Sequence, residues 1–351
     1  MNLSAAEQIA KAVLYEGYML YPYRPSAVKN QQRWNFGVLY PQAYSEAQEG
    51  TDPCESQTQC LVRCVGDPAI EIKVRFLQII ERTVGQFDQP VEQWPVDMAP
   101  TFKIVPTLVA NGRVYQPWQE AAEQEISIQI VGDDSVTSLS RHEHNFPAER
   151  NLEPIEADGQ FVGVIVRNKK PFAASIEAGL ERCRENVWKI TVRIRNTTSF
   201  AAAGESRAHA LESSLISVHT IMGSSHGGFV SLLEPPDELK ELASACVNTG
   251  TWPVLIGEPG SHDTILSSPI ILYDYPQIAP ESAGDLFDGC EIDEILSLRI
   301  MTMTDEEKRE MRDSDDRARQ ILERTETLPA EQLMKMHGVL RNLRSLDKEA
   351  S

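Results

Sequence analysis

Residues 172–195, FAASIEAGLERCRENVWKITVRIR, decide the class of the fold. Trp188, Ile190, Val192 and Ile194 alternate with Lys189, Thr191, Arg193 and Arg195. A period of two puts one set on a buried face and the other toward water, as in a β-strand. Residues 172–180 alternate in the same way, and a short polar stretch joins the two runs. The pair therefore reads as an antiparallel hairpin. Upstream, Ile70, Ile72, Val74 and Phe76 alternate with Glu71, Lys73 and Arg75, and residues 125–130 alternate again. Residues 101–110 and 113–118 flank Asn111-Gly112, a dipeptide suited to the positive φ angles of a tight hairpin. Residues 215–222, 229–233, 253–257, 270–273 and 296–303 read as further strands. The fold class expected is α+β and β-rich, with antiparallel, sandwich-like sheets.

Helices are expected at both ends. Ser4-Ala5-Ala6-Glu7 fits a capping box, with Ile9 and Val13 on one face and Gly17 as terminator. Pro235-Pro236-Asp237-Glu238 starts a short helix, with Leu239, Leu242, Ala243 and Cys246 inward. Thr304-Asp305-Glu306-Glu307 is a second capping box, opening a charged helix. Pro329 opens the last helix, whose Leu333, Met336, Leu340 and Leu343 make an apolar stripe that must pack on the β body or on a partner. The organisation expected is an N-terminal helix and first β region (1–135), a loop or linker (136–160), a second β region with one short helix (161–303) and a C-terminal helical pair (304–351).

A chain of 351 residues with 41% apolar content can build a sizeable core. Its mean hydropathy is −0.31 and no apolar run approaches a membrane span. The N-terminus lacks the basic and apolar regions of an export signal, so a cytoplasmic location is expected. A formal charge of −19 opposes nucleic acid and anionic lipid and favours basic partners. Six of the nine tyrosines fall within residues 15–44, interleaved with Arg24, Lys29 and Arg33. Such a mixture can stack on bases, but the charge favours a segment anchored by buried rings with hydroxyls at the surface.

The chemistry-bearing candidates are few. Residues 267–304 carry Asp274, Glu281, Asp285, Asp288, Glu291, Asp293 and Glu294, and no Lys or Arg occurs in residues 241–298. These carboxylates need water, a hard cation or a basic surface as partner. Turn duties account for several, such as Asp285 and Asp288 around Gly284 and Gly289. Asp285, Asp288, Glu291 and Asp293, with Leu333, Met336 and Leu340, are candidates for partner docking. Asp274, Glu281, Asp285, Asp288 and Glu291 are the alternative as metal ligands, although their spacing matches no EF-hand loop. The basic run in residues 161–200, including Arg167, Arg193 and Arg195, is the internal rival for their charge. Gly223-Ser224-Ser225-His226-Gly227 matches G-x-S-x-G, making Ser225 the one candidate nucleophile, with Asp263, Asp274 and His337 as later triad members. That motif needs a strand-to-helix turn, and the sequence that follows, FVSLLEPP, reads instead as a strand, placing Ser225 on a hairpin loop. His142-Glu143-His144 puts two imidazoles on one side of an extended segment without a third ligand. Cys54, Cys60 and Cys64 lack a C-x-x-C pair and read as reduced thiols, with irregular zinc ligation as the rival reading. No cofactor is expected.

Four blocks carry a resemblance. They are LYEGYMLYPYRPSAVKNQQRWNFGVLYP (14–41), FVSLLEPP (229–236), SSPIILYDYPQIAPESAGDLFDGCEIDEILSLRIMTMTDEEKREMR (267–312) and LPAEQLMKMHGVLR (328–341). Over nearly its whole length the chain resembles an uncharacterised family encoded in gene clusters of high-affinity, actinobacterial-type nickel-iron uptake hydrogenases. The resemblance implies a non-enzymatic accessory role in assembly, maturation or support of the hydrogenase, with a hydrogenase subunit or maturation factor as partner. It brings no catalytic residues. The Cys54, Cys60, Cys64 group is a departure from the family.

Overall fold

The computed structural model describes residues 3–31, 33–94, 101–132, 139–201, 204–278, 284, 286, 293–329 and 331. In chain order the strands are β1 Glu55–Arg63, β2 Ala69–Val91, β3 Lys103–Val105, β4 Leu108–Ala110, β5 Arg113–Tyr115, β6 Trp118–Val131, β7 Ser140–Phe146 and β8 Glu149–Ala157. They continue as β9 Gln160–Lys169, β10 Phe172–Arg184, β11 Val187–Asn196, β12 Ile216–Ser224, β13 Gly228–Val230, β14 Trp252–Leu255 and β15 Thr264–Ser268. The helices are α1 Leu3–Leu14, α2 Val28–Gln31, α3 Gln42–Ala47, α4 Arg207–Leu211, α5 Lys240–Ser244, α6 Asp293–Met301, α7 Asp305–Ser314 and α8 Asp316–Glu326. A single 3₁₀ turn, Asp237–Leu239, leads into α5.

The hairpin that decides the fold forms as read. β10 and β11 pair antiparallel, from Ala174 opposite Asn196 to Leu180 opposite Ile190, with a bulge at Arg182/Arg184. They sit in a five-stranded sheet ordered β13-β1-β11-β10-β7. An eight-stranded sheet is ordered β14-β15-β12-β2-β9-β8, with β6 and β3 also paired to β2. β2 is the axis of this sheet. Its first half pairs with β12 and β6, and its second half with β9 and β3. Asn111 and Gly112 both take positive φ between β4 and β5, as their hairpin turn requires.

The two sheets close on one core. Ile70, Ile72, Val74 and Phe76 of β2 meet Ile176 of β10 and Ile190, Val192 and Ile194 of β11. Fully burying a side chain the size of Phe76 contributes roughly 2 kcal/mol. The opposite face of β2 begins polar, with Lys73 paired to Glu7 of α1 at 3.3 Å. It turns apolar at Leu77 and Ile79, and there a second core begins. That core joins Tyr18, Tyr23 and Trp34 to Leu296 and Ile300 of α6, Met311 of α7 and Ile321 and Leu322 of α8. The result is three layers: five-stranded sheet, eight-stranded sheet, and a covering of helices and tyrosines. The fold class expected from the sequence is the one observed.

Several expectations are corrected. Residues 140–146 and 149–157, expected within a linker, are the edge strands β7 and β8. Their high polarity suits edges, where charged side chains guard an unpaired backbone. The two β regions are not separate, because each sheet takes strands from both. Residues 293–301 form a helix rather than a strand, since an apolar run on two faces hides its period. Residues 270–273 are not a strand, and the strand lies just before them in β15. α1 begins at Leu3, ahead of the cap read at Ser4. The last-helix stripe at Leu333, Met336 and Leu340 lies outside the described residues.

Candidate functional site

The acidic segment starts at the end of β15. Ser267 is fully buried and its hydroxyl hydrogen-bonds those of Thr58 at 2.7 Å and Thr251 at 2.6 Å. Beyond β15 the chain bends at Pro269 and Ile270. Ile270 and Leu272 turn in to pack with Ala6, Ala10 and Val13 of α1. Ile271 and Tyr273 turn out, 70% and 85% exposed. Asp274 then clasps the chain to both sheets. Its Oδ1 accepts from the Leu255 N–H at 2.8 Å, and its Oδ2 accepts from the Ser231 hydroxyl. Ser231 Oγ in turn accepts from the Leu233 and Glu234 N–H groups. Asp274 thus accepts from a backbone N–H through one oxygen and from a side-chain hydroxyl through the other.

Of the other acids, Glu281, Asp285, Asp288 and Glu291 lie outside the described residues. Gly284 and Leu286, which are described, each make a contact. The Tyr23 hydroxyl donates to the Leu286 carbonyl at 2.8 Å, and Arg324 of α8 lies against Gly284. Asp293 and Glu294 occupy the first turn of α6, where the helix dipole favours them. Leu296 and Ile300 of α6 are fully buried, whereas Ile295, Leu298 and Met301 stand out at about 40% exposure along the opposite side. Among the described residues, six of the fifteen exposed large apolar side chains thus lie within residues 271–301: Ile271, Tyr273, Ile278, Ile295, Leu298 and Met301. Isolated exposed apolar residues are ordinary; their concentration on one acidic segment is not.

The basic run does not neutralise this segment among the described residues. Arg193 donates to Glu177 at 2.9 Å and Arg195 to Glu55 at 2.8 Å, both across neighbouring strands of the five-stranded sheet. Lys189 pairs with Glu181 at 2.7 Å, and Arg167 with Glu120 at 2.6 Å. Half-exposed pairs of this kind contribute at most about 1 kcal/mol each.

The remaining candidates fall elsewhere. Ser225 sits on the connection from β12 to β13, and those strands belong to different sheets, so the connection is a crossing rather than a hairpin. No helix follows it. Ser225 Oγ lies 3.0 Å from His226 Nδ1 at the surface, while Asp263 accepts from Ser261 and Thr264. His337 lies outside the described residues. His142 and His144 share one face of edge strand β7, beside the stacked rings of Phe146 and Phe172. Burial lowers the pKa of His144, and the neighbouring His142 adds to the effect. Cys60 is fully buried and burial drives its thiol pKa up, the reverse of what a thiolate ligand needs. Cys54 and Cys64 are free thiols as well, and no group of three or more metal-ligating residues occurs among the described residues.

The tyrosine segment is anchored by buried rings as expected, but the Tyr18 and Tyr23 hydroxyls are buried rather than at the surface. Tyr18 donates to Asp315 and Tyr15 to Glu123, each at 2.8 Å. Arg33 is buried among the rings, 3.8 Å from the Trp118 centroid and 4.5 Å from that of Trp34, and donates to the Tyr18 and Gln119 carbonyls. Burial lowers its pKa to about 10. Arg33 therefore stacks within the aromatic cluster.

No family model and no curated protein sequence matches the chain. Among solved structures, the secretin InvG of the Salmonella SPI-1 type III secretion injectisome, in its open gate state, aligns over 75% of this chain and 76% of its own. The identity is 10% and the TM-score 0.12, which carries no statement about fold or role. No helix among the described residues is long and apolar enough to cross a membrane.

Proposed function

We propose that this chain is a non-enzymatic accessory protein that binds another protein through residues 271–301. The observation that supports this reading is the concentration of exposed apolar side chains on a segment rich in acids and free of Lys and Arg up to Leu298. A surface of that kind suits a partner face with an apolar centre and a basic rim, since charge complementarity steers association and apolar contact holds it. In line with the resemblance read from the sequence, the partner is a subunit or maturation factor of a nickel-iron hydrogenase, met in the cytoplasm.

The test is co-purification with tagged hydrogenase subunits and maturation factors, co-expressed and isolated at low salt. The wild type is expected to be recovered with one of them. The double variant L298D/M301D should reduce recovery by about tenfold or more, as loss of a central apolar anchor does. Its unfolding free energy should stay within about 0.5 kcal/mol, because both positions are exposed. Failure of the wild type to associate with any of these proteins would sink the reading.

A further inference from the structure

A cavity of about 430 Å³ lies between β5, β6 and β9 on one side and the α7–α8 junction on the other. That volume falls within the range of small-molecule sites. Its wall holds a closed ion cluster. Glu120 accepts from Arg82 at 3.1 Å and from Arg167 at 2.6 Å. Arg82 also donates to the Ser314 carbonyl at 2.8 Å, which fixes the end of α7 against the sheet. These charges are satisfied by one another.

Two further lining groups are not. Arg113 of β5 lies over the Tyr115 ring at 5.0 Å from its centroid and makes no ion pair or hydrogen bond among the described residues. Its Nε is shielded from solvent and unpartnered. Asp313 in the last turn of α7 accepts only the Val114 N–H, through Oδ2 at 3.2 Å, and pairs with no cation among the described residues. A guanidinium and a carboxylate thus line one cavity without meeting. The terminal guanidinium nitrogens of Arg113 also have no ion-pair or hydrogen-bond partner among the described residues, so an anion in the cavity can pair with them without breaking a protein contact.

We propose that this cavity binds a small zwitterion of the α-amino-acid type, its carboxylate on Arg113 and its ammonium on Asp313. The guanidinium fork suits a carboxylate held by two parallel bonds. Arg317 lines the cavity beside Asp315 and Asp316, so the lining is close to charge balance and favours a ligand carrying both charges over a polyanion or a simple cation. A molecule with both charges meets both groups without bringing net charge into the cleft.

Titration calorimetry on the full chain tests this, with glycine, L-alanine, L-glutamine, L-glutamate and L-arginine as probes. Each is compared with its methyl ester and with the matching acid that lacks the amino group. Binding of at least one amino acid is expected, and both of its analogues should bind about tenfold more weakly or worse. R113Q and D313N should each weaken binding by a similar factor. In D313N the amide oxygen can still accept from Val114, so the unliganded melting temperature should hold and separate ligand loss from misfolding. The proposal fails if no amino acid binds, if ester or deaminated analogue binds as tightly as the parent, or if both variants bind like the wild type.

Discussion

At the residue scale, buried polar groups report what sequence could not place. His219 lies in β12, a strand buried along its full length that turns through positive φ at Ser217. Its Nδ1 donates to the Ser217 carbonyl at 2.9 Å and its Nε2 has no partner. Burial lowers its pKa from 6.5 to about 4; the Ser217 carbonyl and Glu123 pull it up, and Arg75 pushes it further down. The folded state therefore prefers the neutral ring. That preference is fully present above the unfolded pKa and is lost as pH falls from about 6.5 toward 4, by about 3 kcal/mol in all. Urea unfolding at pH 7 and near pH 4 should show the wild type losing about 2 to 3 kcal/mol more than H219N, which keeps a side-chain N–H near the Ser217 carbonyl. Equal losses in the two proteins would show that His219 is not the titrating group. The strand that holds His219 was legible, because residues 215–222 read as a strand. The sequence could not show Arg33 stacked on Trp118, because that contact joins distant parts of the chain.

At the element scale, local signals were legible and competing periods were not. The capping box at Thr304 forms in full: its hydroxyl accepts from the Glu307 N–H at 3.3 Å, and Glu307 accepts from the Thr304 N–H at 2.9 Å. Salt bridges from Arg24 to Glu307 and Glu310 bind the same turn to the tyrosine segment. Since α7 buries little beyond Met311 and Ser314, its start depends on the cap. T304A should cost about 1 kcal/mol in chemical denaturation and T304S only a few tenths, and equal costs would point away from the hydroxyl. The β10–β11 hairpin, the Asn111-Gly112 turn and the Asp237 helix start were legible for the same reason, each being a short pattern with a physical cause. α6 was not. Residues 295–301 bury Leu296 and Ile300 yet expose Ile295, Leu298 and Met301, so they show no polar face by which to find the helical period. The feature that obscured the helix is the one that supports docking. The bonds of Asp274 to the Leu255 N–H and the Ser231 hydroxyl were not legible, because they need β13 and β14 to be in place.

At the scale of the whole molecule, the sheets are woven from both halves of the chain. β1 and β2 come from the first 135 residues, and each lies in a different sheet. β1 is flanked by β11 and β13, and β2 by β12 and β9, all from beyond residue 159. A fragment of residues 1–135 would keep the β2–β6 pairing and lose the partners of β1 and one side of β2. It would also expose Ile70, Ile72, Val74 and Phe76, whose cover is the five-stranded sheet. Four such side chains returned to water forfeit roughly 8 kcal/mol, comparable with the whole stability of a domain. The fragment alone should therefore lack a cooperative thermal transition and show the narrow amide dispersion of an unfolded chain. Co-expressed with residues 136–351 it should assemble, since the cut at 135/136 severs no strand of either sheet. The intact chain should melt in one transition. A folded, cooperatively melting 1–135 fragment would restore the two-region organisation read from the sequence. The sequence suggested that division because its polar stretch looks like a linker, whereas edge strands are polar too, and only the pairing of β7 with β10 and of β8 with β9 distinguishes them.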